Sequence, residues 1–440
     1  MLKRILALIV VASSAAAVVV FAPNLDLPIA GLAGSEDLQV KAKNLSLVCP
    51  GAIYQNDPNK IGEFSQTGKA SISRDFSAPA GTELVSEDGV LTVLDPQGVA
   101  PQGSALLTAN QTQLVSTSSA NGLAGAACQN PSSDLWLVGG STSTGRESLL
   151  IIRNPSPVDA TVDLEIYGEE GRLELPGLSG LAVTAGKTLV LPVAGLAPKA
   201  KTFVTHVTSK GGVIAAWLQV KSVRGLAAAG LDYVSPSIGA SQSQVIPGIF
   251  IRGAADAAAL ASANADYADL AQTIRVFVPG EKEANIKVQI LGANAKTFGT
   301  VILQTLKPGA VTDVSISGLT DGDYVAVLES DVPVQSAARL SRTDKTKVPA
   351  TDFTWLQAAQ GIDGARVISI PAVGISKLSI VDPITAQVQT VLVAPGSTYK
   401  FDKPATTLYA NLILDVGGMV TNIPVIDYKN AGGAVKVSVR

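Results

Sequence analysis

The chain alternates apolar and polar residues over short segments, in the pattern of strands that bury one face. In residues 160–166, Val162, Leu164 and Ile166 share one face and polar side chains occupy the other. The same alternation returns in residues 286–290. Glycine, proline, serine and threonine separate such segments roughly every 8–12 positions. The pattern therefore predicts many short β-strands, each resting on a core.

A short apolar stretch that runs into a turn recurs about once per hundred residues. It begins at Leu45, Leu135, Ser243 and Thr354, so successive starts lie 90, 108 and 111 residues apart. Two of the units also share paired turn glycines at the same spacing: Gly186 and Gly195, then Gly309 and Gly318. Solenoid repeats have periods of about 20–50 residues. The longer period predicts whole domains that follow one another along the chain.

These signals predict an all-β fold of tandem immunoglobulin-like β-sandwich domains, because six or seven strands per hundred residues is typical of a sandwich. We expect an N-terminal β domain over 36–130, a β-sandwich over 131–232, a β-sandwich with a short Ala-rich insertion over 233–350, and a C-terminal β domain over 351–440. The insertion, at residues 254–270, is predicted to form one short helix. A β-propeller-like fold is the alternative, disfavoured because a blade needs only about four strands.

Residues 1–35 are predicted to be a signal peptide or membrane anchor followed by a linker. Lys3 and Arg4 precede an apolar run over residues 5–22, which as a helix would be about 27 Å long. Pro23 directly follows the nearest small-residue cleavage position, which favours an uncleaved anchor. A cleaved signal peptide stays open. In either case we expect an extracytoplasmic protein, anchored in the membrane through this segment or secreted.

Composition narrows the function classes. The chain has 33 basic and 36 acidic residues and a formal net charge of −3, so it lacks the basic field that binds phosphate backbones, and nucleic acid is not expected as a partner. One histidine and two cysteines leave little for metal binding or imidazole catalysis. We accordingly expect no cofactor and no metal site.

The two cysteines are expected to form a disulfide. Outside the cytoplasm, a single pair such as Cys49 and Cys128 more often forms a bond than stays reduced. Chain entropy would stabilise such a crosslink by about 4.5 kcal/mol in the ideal case. Two unpaired buried thiols are the alternative.

A set of motifs in the first half of the chain carries a family resemblance. These are, in order, Cys49-Pro50-Gly51, Cys128, Trp136, Gly139 with Gly140, and Asn154-Pro155. In this arrangement, over roughly residues 38–218, the chain resembles an actinobacterial family of secreted or membrane-anchored cell-envelope proteins of uncharacterised function. The resemblance implies an exported, β-rich, non-catalytic protein and implies no substrate.

Several residues offer candidate catalytic chemistry. His206 is the one histidine available to a catalytic triad, but its place within a strand favours a structural role. Ser397 and Lys400 have the S-x-x-K spacing of penicillin-recognising enzymes, yet residues three apart in a strand face opposite sides. Asp163 and Glu165 share a strand face at about 7 Å, so a carboxylate-dependent glycoside hydrolase stays a hypothesis. Solvated strand charges explain this pair more simply.

Other residues offer candidate binding chemistry. Trp136, Trp217 and Trp355 could stack on sugar rings if exposed, but their apolar neighbours favour core positions. The TDGD sequence at 320–323 resembles part of a calcium loop, although Asp-Gly is first a turn signal. Asn44 and Asn110 match glycosylation acceptor sequences.

Taken together, the sequence favours a non-enzymatic exported cell-envelope protein that acts as a structural, scaffolding or protein-interaction module. Its expected partners are envelope proteins or cell-wall glycan. A carbohydrate-binding protein of the cell wall is the first alternative, and the carboxylate-dependent glycoside hydrolase is the second.

Overall fold

The computed structural model describes residues 45–57, 60, 62–77, 83–94, 106–293, 299–344, 350–364, 366–402 and 404–426. Strands hold 61% and helices 6% of these residues, which confirms the predicted all-β class. The predicted signal or anchor segment and Asn44 lie outside the described residues. Within the described part of the chain, no helix is long and apolar enough to cross a membrane.

The first region contains three antiparallel sheets. Their strands are β1 (Leu45–Val48), β2 (Ile53–Asn56), β3 (Phe64–Thr67), β4 (Ser71–Ser77), β5 (Glu83–Glu87), β6 (Val90–Leu94), β7 (Leu106–Ser116) and β8 (Asn121–Ala127). The sheet orders are β1-β6-β5, β4-β7-β8 and β2-β3. Cys49 and Cys128, which follow β1 and β8, form a disulfide and are fully buried. The predicted crosslink is thus confirmed, and it joins the two ends of this region.

The second region is a sandwich of two sheets. Its elements are β9 (Asp134–Val138), β10 (Arg146–Arg153), β11 (Ala160–Gly168), β12 (Gly171–Arg172), β13 (Leu181–Val183), β14 (Thr188–Pro192), α1 (Val193–Leu196), β15 (Val204–Gly211), β16 (Ala215–Arg224) and β17 (Ala227–Val234). One sheet has the order β14-β10-β16-β17 and the other β12-β11-β15-β9, with β13 beside β11. Ile152, Val162 and Leu218 belong to one buried cluster that both sheets share. The inward face predicted for residues 160–166 is confirmed, because Val162, Leu164 and Ile166 are all buried.

The third region repeats this strand arrangement. Its elements are β18 (Ser241–Ile251), α2 (Ala254–Ala263), a 3₁₀ helix (Ala265–Leu270), β19 (Thr273–Phe277), β20 (Ala284–Gly292), β21 (Thr300–Leu306), β22 (Val311–Ser315), β23 (Gly322–Asp344) and β24 (Ala350–Gln357). Residues 322–334 of β23 pair with β18 and β20, and residues 335–344 pair with β19 and β24. β23 therefore takes the positions that two strands, β15 and β16, occupy in the second region.

The chain from β24 onward departs from the expected spacing. Because β24 pairs with β23, the apolar run 354–356 ends the third region and does not open the fourth. The boundary expected at residue 350 falls at the start of this pairing. The predicted Ala-rich helix divides at Asn264, whose side chain accepts a hydrogen bond from the Asp266 N–H and starts the 3₁₀ turn.

The fourth region is smaller. Its strands are β25 (Gly361–Ile362), β26 (Arg366–Ser369), β27 (Ile375–Asp382), β28 (Gln387–Val393), β29 (Thr398–Phe401), β30 (Leu408–Val416) and β31 (Met419–Pro424). The main sheet has the order β25-β30-β27-β28, with β31 beside β30, and β26 pairs with β29. The main sheet and the β26-β29 pair contribute to one buried cluster that includes Ile368, Leu378 and Leu412.

The last strands of the four regions contact one another in a cycle. β8 contacts β17, β17 contacts β24, β24 contacts β31, and β31 contacts β8. We call this contact the junction. Inner strands around one centre are also a feature of β-propellers, although here each region adds further sheets of its own. The described residues accordingly belong to one compact unit.

Candidate functional site

The junction is held by buried carboxylates. Asp232, in β17, is fully buried and accepts hydrogen bonds from each of the other three regions. Its Oδ1 accepts from the Gly125 N–H at 3.3 Å and from the Thr421 hydroxyl at 2.8 Å. Its Oδ2 accepts from the Thr354 hydroxyl at 2.8 Å and from the Trp355 N–H at 2.9 Å. A single side chain thereby links all four regions.

Asp352, in β24, makes the same kind of connection through backbone donors alone. Its Oδ2 accepts from the N–H groups of Leu123 at 3.3 Å and Val420 at 2.9 Å. Its Oδ1 accepts from the Leu231 N–H at 3.3 Å. These donors belong to the first, fourth and second regions, so Asp352 also connects every region.

Burial dominates the electrostatics of both junction carboxyls. It raises the pKa of Asp232 to about 7 and the pKa of Asp352 well above its ordinary value, even though the hydrogen bonds favour the charged forms. The strands approach closely here because β8 carries small residues. A Cβ on Gly125 would lie 2.6 Å from the Thr421 side chain, and one on Gly122 would lie 2.7 Å from the Leu231 nitrogen. The junction is therefore a closely packed connection between strands.

A second cluster of charged groups lies in a cleft between the second and third regions. The cleft has a volume of about 860 Å³ and is lined by five cationic side chains: Arg146, Lys201, Arg224, Arg275 and Arg339. Three of its lining residues are acidic: Asp266, Asp269 and Asp313. The lining thus has two more cations than carboxylates, although the whole chain is net negative. We call this feature the arginine cleft.

Asp269, at the end of the 3₁₀ helix, is the centre of the arginine cleft. Its carboxylate contacts Arg146 at 2.5 Å, Arg224 at 2.7 Å and Arg339 at 3.1 Å. Burial by itself would raise the pKa of this carboxyl, but the three guanidinium charges outweigh it and lower the pKa. Two of the arginines come from β10 and β16, and the third comes from β23. The cluster consequently forms only when the second and third regions meet.

The other end of the cleft is built around Arg275, in β19. Its guanidinium binds both carboxylate oxygens of Asp313, at 2.7 and 2.9 Å, and donates to the carbonyls of Gly140 and Phe203. It lies 4.9 Å from the ring centroid of Trp355. Although burial opposes it, Arg275 lowers the pKa of Asp313. This arginine is fully engaged in holding the two regions together.

The chemistry available in the arginine cleft is that of anion binding. Arginine carries five N–H donors and keeps its charge at physiological pH. The carboxylates of Asp269 and Asp313 are held ionised by arginine, so neither has a pKa suited to proton transfer near neutral pH.

The structure places His206 in a cluster of side chains on one sheet surface. Its Nδ1 lies 3.1 Å from Glu165 and its Nε2 lies 3.0 Å from Asp134. Trp136 stacks on the imidazole with ring centroids 3.8 Å apart. The Tyr167 hydroxyl donates to Glu165, and burial together with this bond raises the pKa of Tyr167 to about 12. None of these contacts brings a nucleophilic hydroxyl or thiol to the imidazole.

The two carboxylates considered for glycoside cleavage, Asp163 and Glu165, each bind structural partners of their own. Asp163 accepts from the Gly180 N–H at 2.8 Å and pairs with Lys210 at 3.5 Å. Glu165 is occupied by the His206 cluster and by Arg172 at 3.2 Å. Although burial opposes it, these partners lower the pKa of Glu165. Neither group is placed to act as the neutral acid that glycoside cleavage needs.

The three tryptophans do not form an open platform. Trp217 is fully buried and Trp355 is 4% exposed. Trp136 is half-buried between aromatic neighbours, with Phe277 at 5.4 Å and Tyr167 at 5.9 Å between ring centroids. The aromatic surface available for stacking on a sugar is therefore small.

The remaining candidates serve local structure. Ser397 donates to the Ala394 carbonyl beside β29, where strand geometry keeps it from Lys400. In the TDGD turn, Asp321 accepts from the N–H groups of Gly253, just before α2, and of Ala254, and Asp323 pairs with Arg252. Asn110 is buried within β7.

Sequence reasoning missed both the junction and the arginine cleft. Their residues are isolated aspartates and arginines spread over more than a hundred positions, so no spacing signals them. An aspartate within an apolar strand, as in Leu231-Asp232-Tyr233, is the one local sign that could have been noticed. Among the described residues, no group of three or more His, Cys, Asp or Glu side chains could hold a metal ion.

Comparison with known proteins adds a family but no activity. No curated protein is significantly similar to this chain in sequence. A solved Thermotoga maritima protein, 1070, is 17% identical, covers 27% of this chain and 94% of its own, and has a TM-score of 0.20. The tetra-tandem repeat in the extending region of a large adhesion protein is 12% identical, covers 80% of this chain and 90% of its own, and has a TM-score of 0.12. At these TM-scores neither structure bears on fold or function.

A family model, in contrast, matches residues 86–406, which is most of the chain and spans parts of all four regions. The match begins at the end of β5 and ends before β30. The chain therefore belongs to the family of unknown function DUF5719.

Proposed function

We propose that this protein is a non-enzymatic scaffold of the cell envelope, exported and held at the membrane by its N-terminal segment or released by cleavage. Its partners would be envelope proteins or cell-wall glycan. In this proposal the four regions are immunoglobulin-like sandwiches, and their loops and sheet edges provide the contact surfaces. The Cys49–Cys128 disulfide supports an oxidising compartment.

The observation that carries the proposal is the junction. Asp232 and Asp352 each accept hydrogen bonds from the other three regions, so separating any one region would leave buried polar groups without partners. Tandem domains on flexible linkers would not need such a connection. A protein built this way holds its surfaces at fixed relative positions, which suits spacing and presentation.

The two alternatives receive less support. A sugar-binding module would be expected to expose aromatic rings, and Trp217 and Trp355 are buried. A glycoside hydrolase would need Asp163 and Glu165 to converge on an open groove, and both are occupied by structural partners.

Hydrogen exchange of the full chain tests the scaffold. We expect amides in β8, β17, β24 and β31 to exchange slowly and together, because opening any one of these strands disrupts the junction. Independent opening of the regions would contradict the proposal.

Location and catalysis need separate tests. Protease added to intact cells should digest the full chain, and non-reducing mass spectrometry should show the disulfide; full protection inside the cell would refute export. Incubation with purified cell-wall glycan should release no reducing ends. Release that is lost in Glu165→Gln would establish the hydrolase alternative instead.

A further inference from the structure

The arginine cleft has an unusual imbalance of charge. Three guanidinium groups converge on the one carboxylate of Asp269, and Arg146, Arg224 and Arg339 are each less than 15% exposed. Like charges held together out of water repel each other unless anions neutralise them. The lining of the cleft has five cations against three carboxylates, so two positive charges are left unbalanced there.

The pKa values of the arginines show the same strain. Burial, together with the charges of Arg146 and Arg224, lowers the pKa of Arg339 to about 10, although the carboxylate of Asp269 opposes the shift. Burial, with the charge of Arg224, also lowers the pKa of Arg146. A bound anion would relieve this repulsion between the guanidinium groups.

Polar groups suited to an oxyanion line the same cleft. Residues 140–145, with the sequence GSTSTG, form a loop along it and contribute Ser143 and Thr144 to the lining. Among the described residues, the buried Ser222 hydroxyl and Trp355 indole N–H have no hydrogen-bond partner, and both residues line the cleft. Hydroxyl and N–H donors beside arginine are the usual contacts of bound carboxylates and phosphates.

We propose that the arginine cleft is a binding site for a small ligand that carries a carboxylate or phosphate group. The oxyanion of the ligand contacts Arg146 and Lys201. Together with the carboxylate of Asp269, it neutralises the guanidinium cluster. A volume of about 860 Å³ holds a molecule of sugar-acid or sugar-phosphate size. This site does not depend on the scaffold function proposed above.

Titration calorimetry on the full chain tests the site, with inorganic phosphate and glucuronate as probes and glucose as the neutral control. We expect saturable binding of at least one of the two anions, weaker at higher chloride concentration, and no binding of glucose. Binding of phosphate alone would assign a phosphate ligand, and binding of glucuronate alone a carboxylate ligand. The absence of binding by both anions would overturn the proposal.

Variants separate a binding site from an internal ion-pair network. Arg146→Gln should weaken binding about tenfold, because it removes a charged donor. Lys201→Gln removes an exposed charge with little risk to folding and should weaken binding a few-fold. Asp269→Asn should strengthen binding, because it removes the competing carboxylate. Arg252→Gln, which breaks an ion pair with Asp323 elsewhere, is the matched control and should change nothing.

The outcomes are distinguishable even if one variant folds poorly. Circular dichroism of each variant confirms folding before titration. If Lys201→Gln and Arg252→Gln bind the anion equally well, and Asp269→Asn does not strengthen binding, the ligand lies elsewhere and the proposal is wrong.

Discussion

The junction and the arginine cleft both bury aspartates between regions, but the pKa values of these aspartates shift in opposite directions. At the junction, Asp232 and Asp352 meet neutral N–H and hydroxyl donors, and burial raises the pKa of both. In the cleft, Asp269 meets three guanidinium groups, and its pKa is lowered despite burial. The difference lies in the partners more than in the depth of burial.

This comparison indicates what each feature contributes. The junction connects four regions by hydrogen bonds in a closely packed space, so it suits a structural role. The cleft connects two regions while keeping an open volume and an excess of positive charge, so it suits ligand binding. Four experiments test this contrast.

The largest expected effect is from Asp352→Ala. The change leaves the buried N–H groups of Leu123, Leu231 and Val420 without their acceptor, at about 1–3 kcal/mol each, so we expect a loss of about 3–9 kcal/mol in the free energy of unfolding. Urea denaturation measures it. The control is Asp331→Ala, an exposed aspartate that accepts from Asn285. If both variants unfold at the same urea concentration, the junction does not hold the regions together.

The pH dependence of stability should come next in size. Because the pKa of Asp232 is raised to about 7 in the folded state, against about 3.9 unfolded, the folded protein binds this proton more tightly. Its contribution is complete below about pH 4 and is lost as the pH rises to about 7, on the order of 4 kcal/mol. The contribution of Asp269, with its lowered pKa, is lost only in acid, as the pH falls through its folded pKa. Urea midpoints from pH 4.5 to 8 should therefore fall in the wild type and stay flatter in Asp232→Asn; equal slopes would contradict the assignment.

Asp269→Asn should destabilise the protein by about 3 kcal/mol, because removing one partner of a buried ion pair leaves the others uncompensated. Phosphate should restore part of the loss if the cleft binds anions. Thermal unfolding with and without phosphate measures both effects. Asp323→Asn, which removes the carboxylate that pairs with Arg252, is the control and should respond little to phosphate.

Arg146→Gln should have the smallest effect on stability, about 1 kcal/mol or less, because Asp269 keeps two other arginines and is not left uncompensated, while one source of repulsion disappears. The same urea experiment measures it. A loss as large as that of Asp352→Ala would show that the cleft, too, is chiefly structural.

Local patterns were enough to predict the strands and the crosslink. Alternation in residues 160–166 placed Val162, Leu164 and Ile166 on the core, because a strand turns successive side chains to opposite faces. Two cysteines allow one intramolecular pair, which the structure contains. The shared spacing of turn glycines reflects a strand arrangement that the second and third regions have in common.

The repeat spacing gave the wrong starting point for the fourth unit. The apolar run at Thr354 resembled the opening of a new unit, but it lies in β24 and completes the third region. In this strand, Asp352 accepts hydrogen bonds from the first, second and fourth regions. The Trp355 N–H donates to Asp232 of the second region. One-dimensional repeats cannot distinguish a first strand from a last one, because both present an apolar face.

Sequence patterns were sufficient to predict the class of fold, the inward face of the strand at residues 160–166 and the disulfide between Cys49 and Cys128. No sequence pattern predicted that the last strands of the four regions meet at two carboxylates, or that three arginines surround Asp269. The physical reason is that alternation and turn residues act between neighbours in the chain. The energy of a buried charge depends instead on which groups folding brings around it from far away in the sequence.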